Sequence, residues 1–163
     1  MNSGTSEAIK MHKPKIALTI AGTDPSGGAG VMADLKSFHS CGVYGMAAIT
    51  SIIAQNTKGV QHIHNLETSW VQEQLDSVFN DELPHSIKTG MIATHETMEL
   101  IQHYLKQHSD IPYVIDPVML AKSGDSLMDD DTKKHLQNTL LPLADVVTPN
   151  IPEAEEITDI KLD

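Results

Sequence analysis

Apolar and polar positions along this chain change period repeatedly. Residues 16–21, Ile-Ala-Leu-Thr-Ile-Ala, are a near-continuous apolar run of strand length, the pattern of a strand buried on both faces. Residues 30–39 then read as a short helix. Residues 44–54 are apolar and extended, and residues 59–66 alternate with a period of two, which predicts an edge or half-exposed strand. Thr68 is placed to cap a helix whose apolar face is Val71, Leu75, Val78 and Phe79. A strand over 86–91 leads to a helix capped by Thr94, with Met98, Ile101, Tyr104 and Leu105 on one side. A strand over 113–118, a helix over 129–140 with acid in its first turn, a short strand over 146–148 and a helical start after Asn150 complete the pattern.

Strands alternating with helices predict an α/β fold, with a parallel sheet covered on both faces. There is no repeat, low-complexity tract or linker, so residues 15–163 read as one continuous unit behind a disordered tail, residues 1–14. In parallel sheets, ligands sit beyond the carboxyl ends of the strands. Residues 22–29, 55–56, 90–91, 116–118 and Asn150 all fall at such ends.

Composition narrows the classes. Eleven basic against 22 acidic residues among 163 leave a net charge of -11, which argues against a nucleic-acid or anionic-membrane surface. Anionic substrates then need local positive groups, such as backbone amides or a metal ion. Cys41 is the single cysteine, so no intrachain disulfide forms, which suits a reducing compartment. It reads as a small core residue at a helix end. The first 15 residues lack an apolar signal core, and no apolar stretch has the length to span a bilayer. A soluble cytoplasmic protein is expected.

The candidate chemistry begins at Gly22-Thr23-Asp24-Pro25-Ser26-Gly27-Gly28-Ala29-Gly30. A glycine-rich turn opening a helix presents backbone N–H groups and a positive helix end to a ligand. Gly22, Gly28 and Ala29 permit close backbone approach. Taken alone, Asp34 reads as a carboxylate favoured by the start of its helix, Gln55 as a residue closing a strand, and Met91 and Val118 as core. Asn150 with Glu153 reads as a capping box, and Lys122 as a solvated loop lysine. His62 and His64 share a strand face but have no accompanying ligand set, so a zinc site is rejected.

Residues 19–34, with Ala54-Gln55-Asn56-Thr57, Lys88-Thr89-Gly90-Met91, Asp116-Pro117-Val118-Met119, Lys122-Ser123-Gly124-Asp125 and Thr148-Pro149-Asn150-Ile151-Pro152-Glu153-Ala154, resemble the hydroxymethylpyrimidine/phosphomethylpyrimidine kinases of thiamin biosynthesis. Six ordered motifs are far more specific than a lone glycine-rich turn. The resemblance implies the ribokinase-like three-layer α/β/α fold, with a central, mostly parallel sheet that is incomplete at its C-terminal side. It implies transfer of the γ-phosphoryl of ATP to an aminopyrimidine hydroxymethyl group, then a second phosphorylation of the monophosphate.

The same resemblance assigns Gly22, Ala29, Asp34, Gln55, Met91 and Val118 to the substrate. Gln55 offers one acceptor and two donors to the pyrimidine edge. Asp116, Lys122, Asn150 and Glu153 go to the nucleotide side, with Asp116 and Glu153 toward Mg²⁺ through water. The family's Gly-Thr-Gly-Cys or Gly-Thr-Gly-Asp segment, which carries the catalytic base, does not occur among these residues. The resemblance places that base beyond Asp163, the last residue here, and assigns none within the chain. The chain therefore reads as the amino-terminal part of such a kinase, inactive alone, and as a homodimer in full-length form. Two other readings stay open: pyridoxal kinase of the same superfamily, and a non-catalytic pyrimidine-binding fragment.

Overall fold

A computed structural model describes residues 13–119 and 127–161. The elements run β1 (Ile16–Ala21), α1 (Gly30–Ser40), β2 (Tyr44–Ile49), β3 (Ser51–Asn56), β4 (Gly59–Asn65), α2 (Thr68–Phe79), β5 (Ser86–Thr89), α3 (His95–Gln107), β6 (Tyr113–Ile115), α4 (Asp130–Thr139), β7 (Val146–Val147) and α5 (Ile151–Thr158), with a 3-10 turn at Leu141–Leu143. Among the described residues, five strands form one sheet in the order β2-β1-β5-β6-β7, and every pairing in it is parallel. Helices flank it, as the sequence pattern predicts.

The two sheet faces have different chemistry because side chains alternate along a strand. Leu18, Ile20, Ile87, Tyr113 and Ile115 enter one buried cluster with Val71 and Leu75 of α2, Met98, Ile101 and Leu105 of α3, and Leu136 and Leu140 of α4. The opposite parity carries Thr19 and Lys88, register partners on neighbouring strands. That face meets α1, where Asp34 takes a hydrogen bond from Thr19. One face thus builds the core, and the other carries polar groups to the cleft.

Three expectations change. Residues 44–54 are not one strand: Thr50 separates β2, in the main sheet, from β3, which pairs antiparallel with β4 in a separate two-stranded sheet. The run is apolar on both sides, and the Thr50-Ser51 step between them is too short to mark a change of sheet. Thr68 does not cap α2. The cap position is Glu67, without a side-chain cap hydrogen bond, and the Thr68 hydroxyl lies 3.4 Å from that of Thr97. Cys41 is exposed rather than core, because it closes α1 at the rim, where the chain turns through Gly42 at φ 71°. The expected tail lies outside the described residues except for Lys13, which pairs with Glu82, and Pro14. At the other end, the expected unit reaches Asp163, which also lies outside the described residues.

Candidate functional site

The glycine-rich turn is held by its own aspartate. Asp24, 3% exposed, accepts hydrogen bonds from the backbone N–H and hydroxyl of Ser26 (2.9 and 2.7 Å) and from the N–H of Gly28 (3.1 Å). Burial alone raises a carboxyl pKa. Here the Gln55 amide, Ser26 and Gly28 outweigh it and hold Asp24 at about 2, below its ordinary 3.8. Sequence reasoning passed over Asp24, although Asp-Pro-Ser-Gly is the composition of a turn in which Asp bonds the backbone just ahead.

Two glycines sit at close approaches, Gly22 against the tip of a side chain and Gly30 against backbone. A Cβ at Gly22 would stand 2.8 Å from Ile53 Cδ1, so the missing side chain makes room for the β3–β4 hairpin. Gly30 has φ 57°, and a Cβ there would fall 2.3 Å from the Gly22 carbonyl oxygen. That oxygen accepts the Val31 N–H at 3.0 Å. Thr23 ties the hairpin to the turn: its N–H donates to Ser51 O, and its hydroxyl accepts from the Ile53 N–H, both at 2.9 Å.

Asp34 is the fifth residue of α1, beyond the first turn, which holds no acid. Its partners are therefore side chains rather than the helix end. The Thr19 hydroxyl donates to Oδ2 at 2.6 Å, and Lys88 Nζ lies 3.1 and 3.0 Å from Oδ1 and Oδ2. Lys88 Nζ is also 3.6 Å from Asp116 Oδ2. Burial pushes the Asp116 carboxyl up; Lys88 opposes this, while Glu153 and Asp34 add to it. Lys88 was not singled out from the sequence, where a lysine inside a strand carries no distinctive signal.

Asn150 and Glu153 form a complete capping box at α5. The Asn150 side chain accepts the Glu153 N–H at 2.9 Å, and Glu153 Oε2 accepts the Asn150 N–H at 3.0 Å. Glu153 is buried, and its other oxygen accepts the Met119 N–H at 3.3 Å. The box therefore also ties α5 to the loop after β6.

These parts enclose a cleft of about 790 Å³ at the carboxyl ends of the parallel strands. Gly22, Ala29, Asp34, Gln55, Met91 and Val118 all line it, and so do Asp116, Asn150 and Glu153. Residues 55–60 of the hairpin supply one wall, so Gln55 reaches the cleft from the antiparallel unit rather than from the main sheet. Lys122 lies outside the described residues, and so does Asp163, beyond which the catalytic base is expected. His62 and His64 are exposed on β4, away from the cleft lining. Among the described residues, no group of three or more His, Cys, Asp or Glu is arranged to hold a metal ion by itself, and no helix is long and apolar enough to cross a membrane.

Solved structures share this architecture. A phosphomethylpyrimidine kinase from Clostridium difficile 630 superposes with a TM-score of 0.84 at 48% identity, over 91% of this chain and 64% of that one. A pyridoxal kinase from Staphylococcus aureus, in complex with pyridoxal, gives 0.82 at 34% identity, over 93% and 56%. Fold and cleft together define the class, a ribokinase-like kinase fold. The family model of phosphomethylpyrimidine kinase matches residues 24–163, and the chain belongs to that family. A hydroxymethylpyrimidine/phosphomethylpyrimidine kinase of Staphylococcus aureus (strain Mu50 / ATCC 700699) is 81% identical over 153 residues, covering 94% of this chain and 55% of its own length. The Escherichia coli (strain K12) protein of the same description is 48% identical over 143 residues, covering 88% and 54%. The chain thus spans about half the length of the curated relatives it matches.

Proposed function

We propose that this chain supplies the substrate-binding part of an ATP-dependent kinase that phosphorylates 4-amino-5-hydroxymethyl-2-methylpyrimidine and then its monophosphate. The observation that carries this reading is the gathering of Asp34, Gln55, Met91 and Val118 around one cleft that also holds Asp116 and Glu153. Met91 and Val118 offer apolar contact to the faces of a flat ring. Gln55 offers hydrogen bonds to its edge, and Asp34 offers an ionised acceptor for its amine or hydroxymethyl group. The base that takes the hydroxyl proton is assigned to the family's segment beyond Asp163, on the motif resemblance.

The nucleotide side follows from charge. Asp34 and Asp116 share the single ammonium of Lys88, and the Glu153 carboxylate acts on Asp116 from the other side, so negative charge exceeds positive here and attracts a cation. Both Glu153 oxygens already accept backbone N–H groups, and the Asp116 side chain is 37% exposed. Such a donor set fits Mg²⁺ held through its own waters, with Asp116 the nearer carboxylate, rather than a closed protein cage. Bound there, Mg²⁺ supplies neutralisation of phosphate charge. Lys122 and Asn150 are assigned to the phosphate side on the motif resemblance. The solved pyridoxal kinase with AMP-PCP from Staphylococcus aureus, with a TM-score of 0.81, supports nucleotide use by this fold.

Pyridoxal is the second reading, favoured by the likeness to the pyridoxal-bound kinase. Calorimetric titration with each heterocycle, and with both in competition, decides between them. Tighter binding of the aminopyrimidine supports the proposal, and tighter binding of pyridoxal overturns it. A polypeptide of residues 1–163 made alone is expected to show no pyrimidine-dependent ATP consumption in a coupled assay. Turnover there would show that the family's Gly-Thr-Gly segment is dispensable.

A further inference from the structure

We propose that Lys88 is a positioning residue for substrate recognition: it clamps the Asp34 carboxylate in the one orientation that leaves Oδ1 able to accept from the heterocycle. The proposal rests on the reading of the cleft as an aminopyrimidine site and adds a residue to it.

Parallel pairing puts Thr19 and Lys88 side by side on β1 and β5. Their shared parity turns both toward α1, and the Asp34 carboxylate contacts the pair. Oδ2 accepts from the Thr19 hydroxyl at 2.6 Å and from Lys88 Nζ at 3.0 Å. Oδ1 accepts from Nζ at 3.1 Å. An ionised carboxylate has about four lone-pair sites, so Oδ2 is saturated and Oδ1 retains one. Two-point contact with the ammonium fixes the plane of the group, and the hydroxyl fixes its tilt.

The surroundings make the lysine necessary. The Lys88 and Asp34 side chains are 19% and 17% exposed, so an unpaired charge at either position loses much of its hydration. Asp116 Oδ2 lies 3.6 Å from the same ammonium. Without Lys88, two carboxylates face each other across a partly buried gap and repel. Gly90 leaves the ammonium its place: a Cβ there would come within 3.2 Å of Nζ.

A double-mutant cycle tests the proposal, because a residue acting through Asp34 loses its effect once Asp34 is changed. The full chain, Lys88→Met, Asp34→Asn and the double variant are titrated calorimetrically with 4-amino-5-hydroxymethyl-2-methylpyrimidine, and thermal midpoints are recorded in parallel. Each single change is expected to weaken binding about tenfold or more, and the double variant to bind within about twofold of Asp34→Asn. Losses that multiply, or unchanged affinity in Lys88→Met, overturn the proposal. Loss of Mg²⁺-ATP affinity in place of heterocycle affinity also overturns it, since Lys88 then serves as a phosphate ligand. If Lys88→Met does not fold, Thr19→Val carries the test by removing the other donor to Asp34. It is expected to weaken heterocycle binding about threefold, and unchanged affinity counts against the proposal. Failure of the unsubstituted chain to bind the heterocycle overturns the cleft reading together with this one. Normal binding by that chain with no effect of Lys88→Met overturns this one alone.

Discussion

At the scale of single residues, the cleft depends on groups whose roles differ from what their neighbours in sequence indicate. Gln55 is the penultimate residue of β3 and reaches the cleft from the hairpin. Gln55→Ala is expected to weaken aminopyrimidine binding about tenfold, the worth of one or two hydrogen bonds, and to lower the thermal midpoint as the buried Asp24 carboxylate loses its Gln55 partner; calorimetry beside a melt checks both. Asp24 makes the turn's stability depend on pH. Its folded pKa of about 2 lies below the ordinary 3.8, so its contribution is fully present above the ordinary value and is lost as pH falls through about 2. The difference in unfolding free energy between the native chain and Asp24→Asn is therefore expected to shrink between about pH 4 and pH 2, as denaturant titrations at several pH values would measure. Gly30→Ala forces a side chain into φ 57° and against the Gly22 carbonyl. It should cost more than about 1 kcal/mol in the same experiment.

Elements show where cap chemistry decides a boundary. Thr94 caps α3, accepting the Thr97 N–H at 3.3 Å and donating to the Thr97 hydroxyl at 2.9 Å. Thr68, the same residue type before a similar apolar face, sits one position inside α2 and caps nothing. Thr94→Ala is expected to cost about 1 kcal/mol, and Thr68→Ala less than about half of that; equal losses in chemical denaturation would contradict the assignment. Asn150 and Glu153 show the opposite situation, since one motif both caps α5 and fastens the loop that carries Asp116 and Val118. Between α3 and α4, His95 and His135 stack with ring centroids 4.1 Å apart. Each faces a carboxylate of the other helix, Asp131 and Glu99, at 3.6 Å.

For the molecule as a whole, the described sheet ends on β7, a two-residue strand whose Val146 and Val147 are 50% and 38% exposed. An apolar edge with unpaired backbone groups recruits other strands. Val146→Lys is accordingly expected to reduce self-association of a 1–163 polypeptide in light scattering. The alternation of strands and helices, the parallel sheet and the core faces of α2 and α3 were legible in the sequence, because burial imposes a period on each element. Ordered motifs likewise marked the cleft lining. The break at Thr50 was not legible, because both sides of it are apolar, and neither was the exposure of Cys41, which depends on where the helix stops against the rim. Local periodicity and short-range capping belong to neighbouring residues, so the linear order of this chain determined its elements and its family. Which carboxylate meets which cation depends on strand register between distant segments, 54 positions apart for Lys88 and Asp34. Only the folded sheet, by setting Thr19 beside Lys88 under α1, decided that.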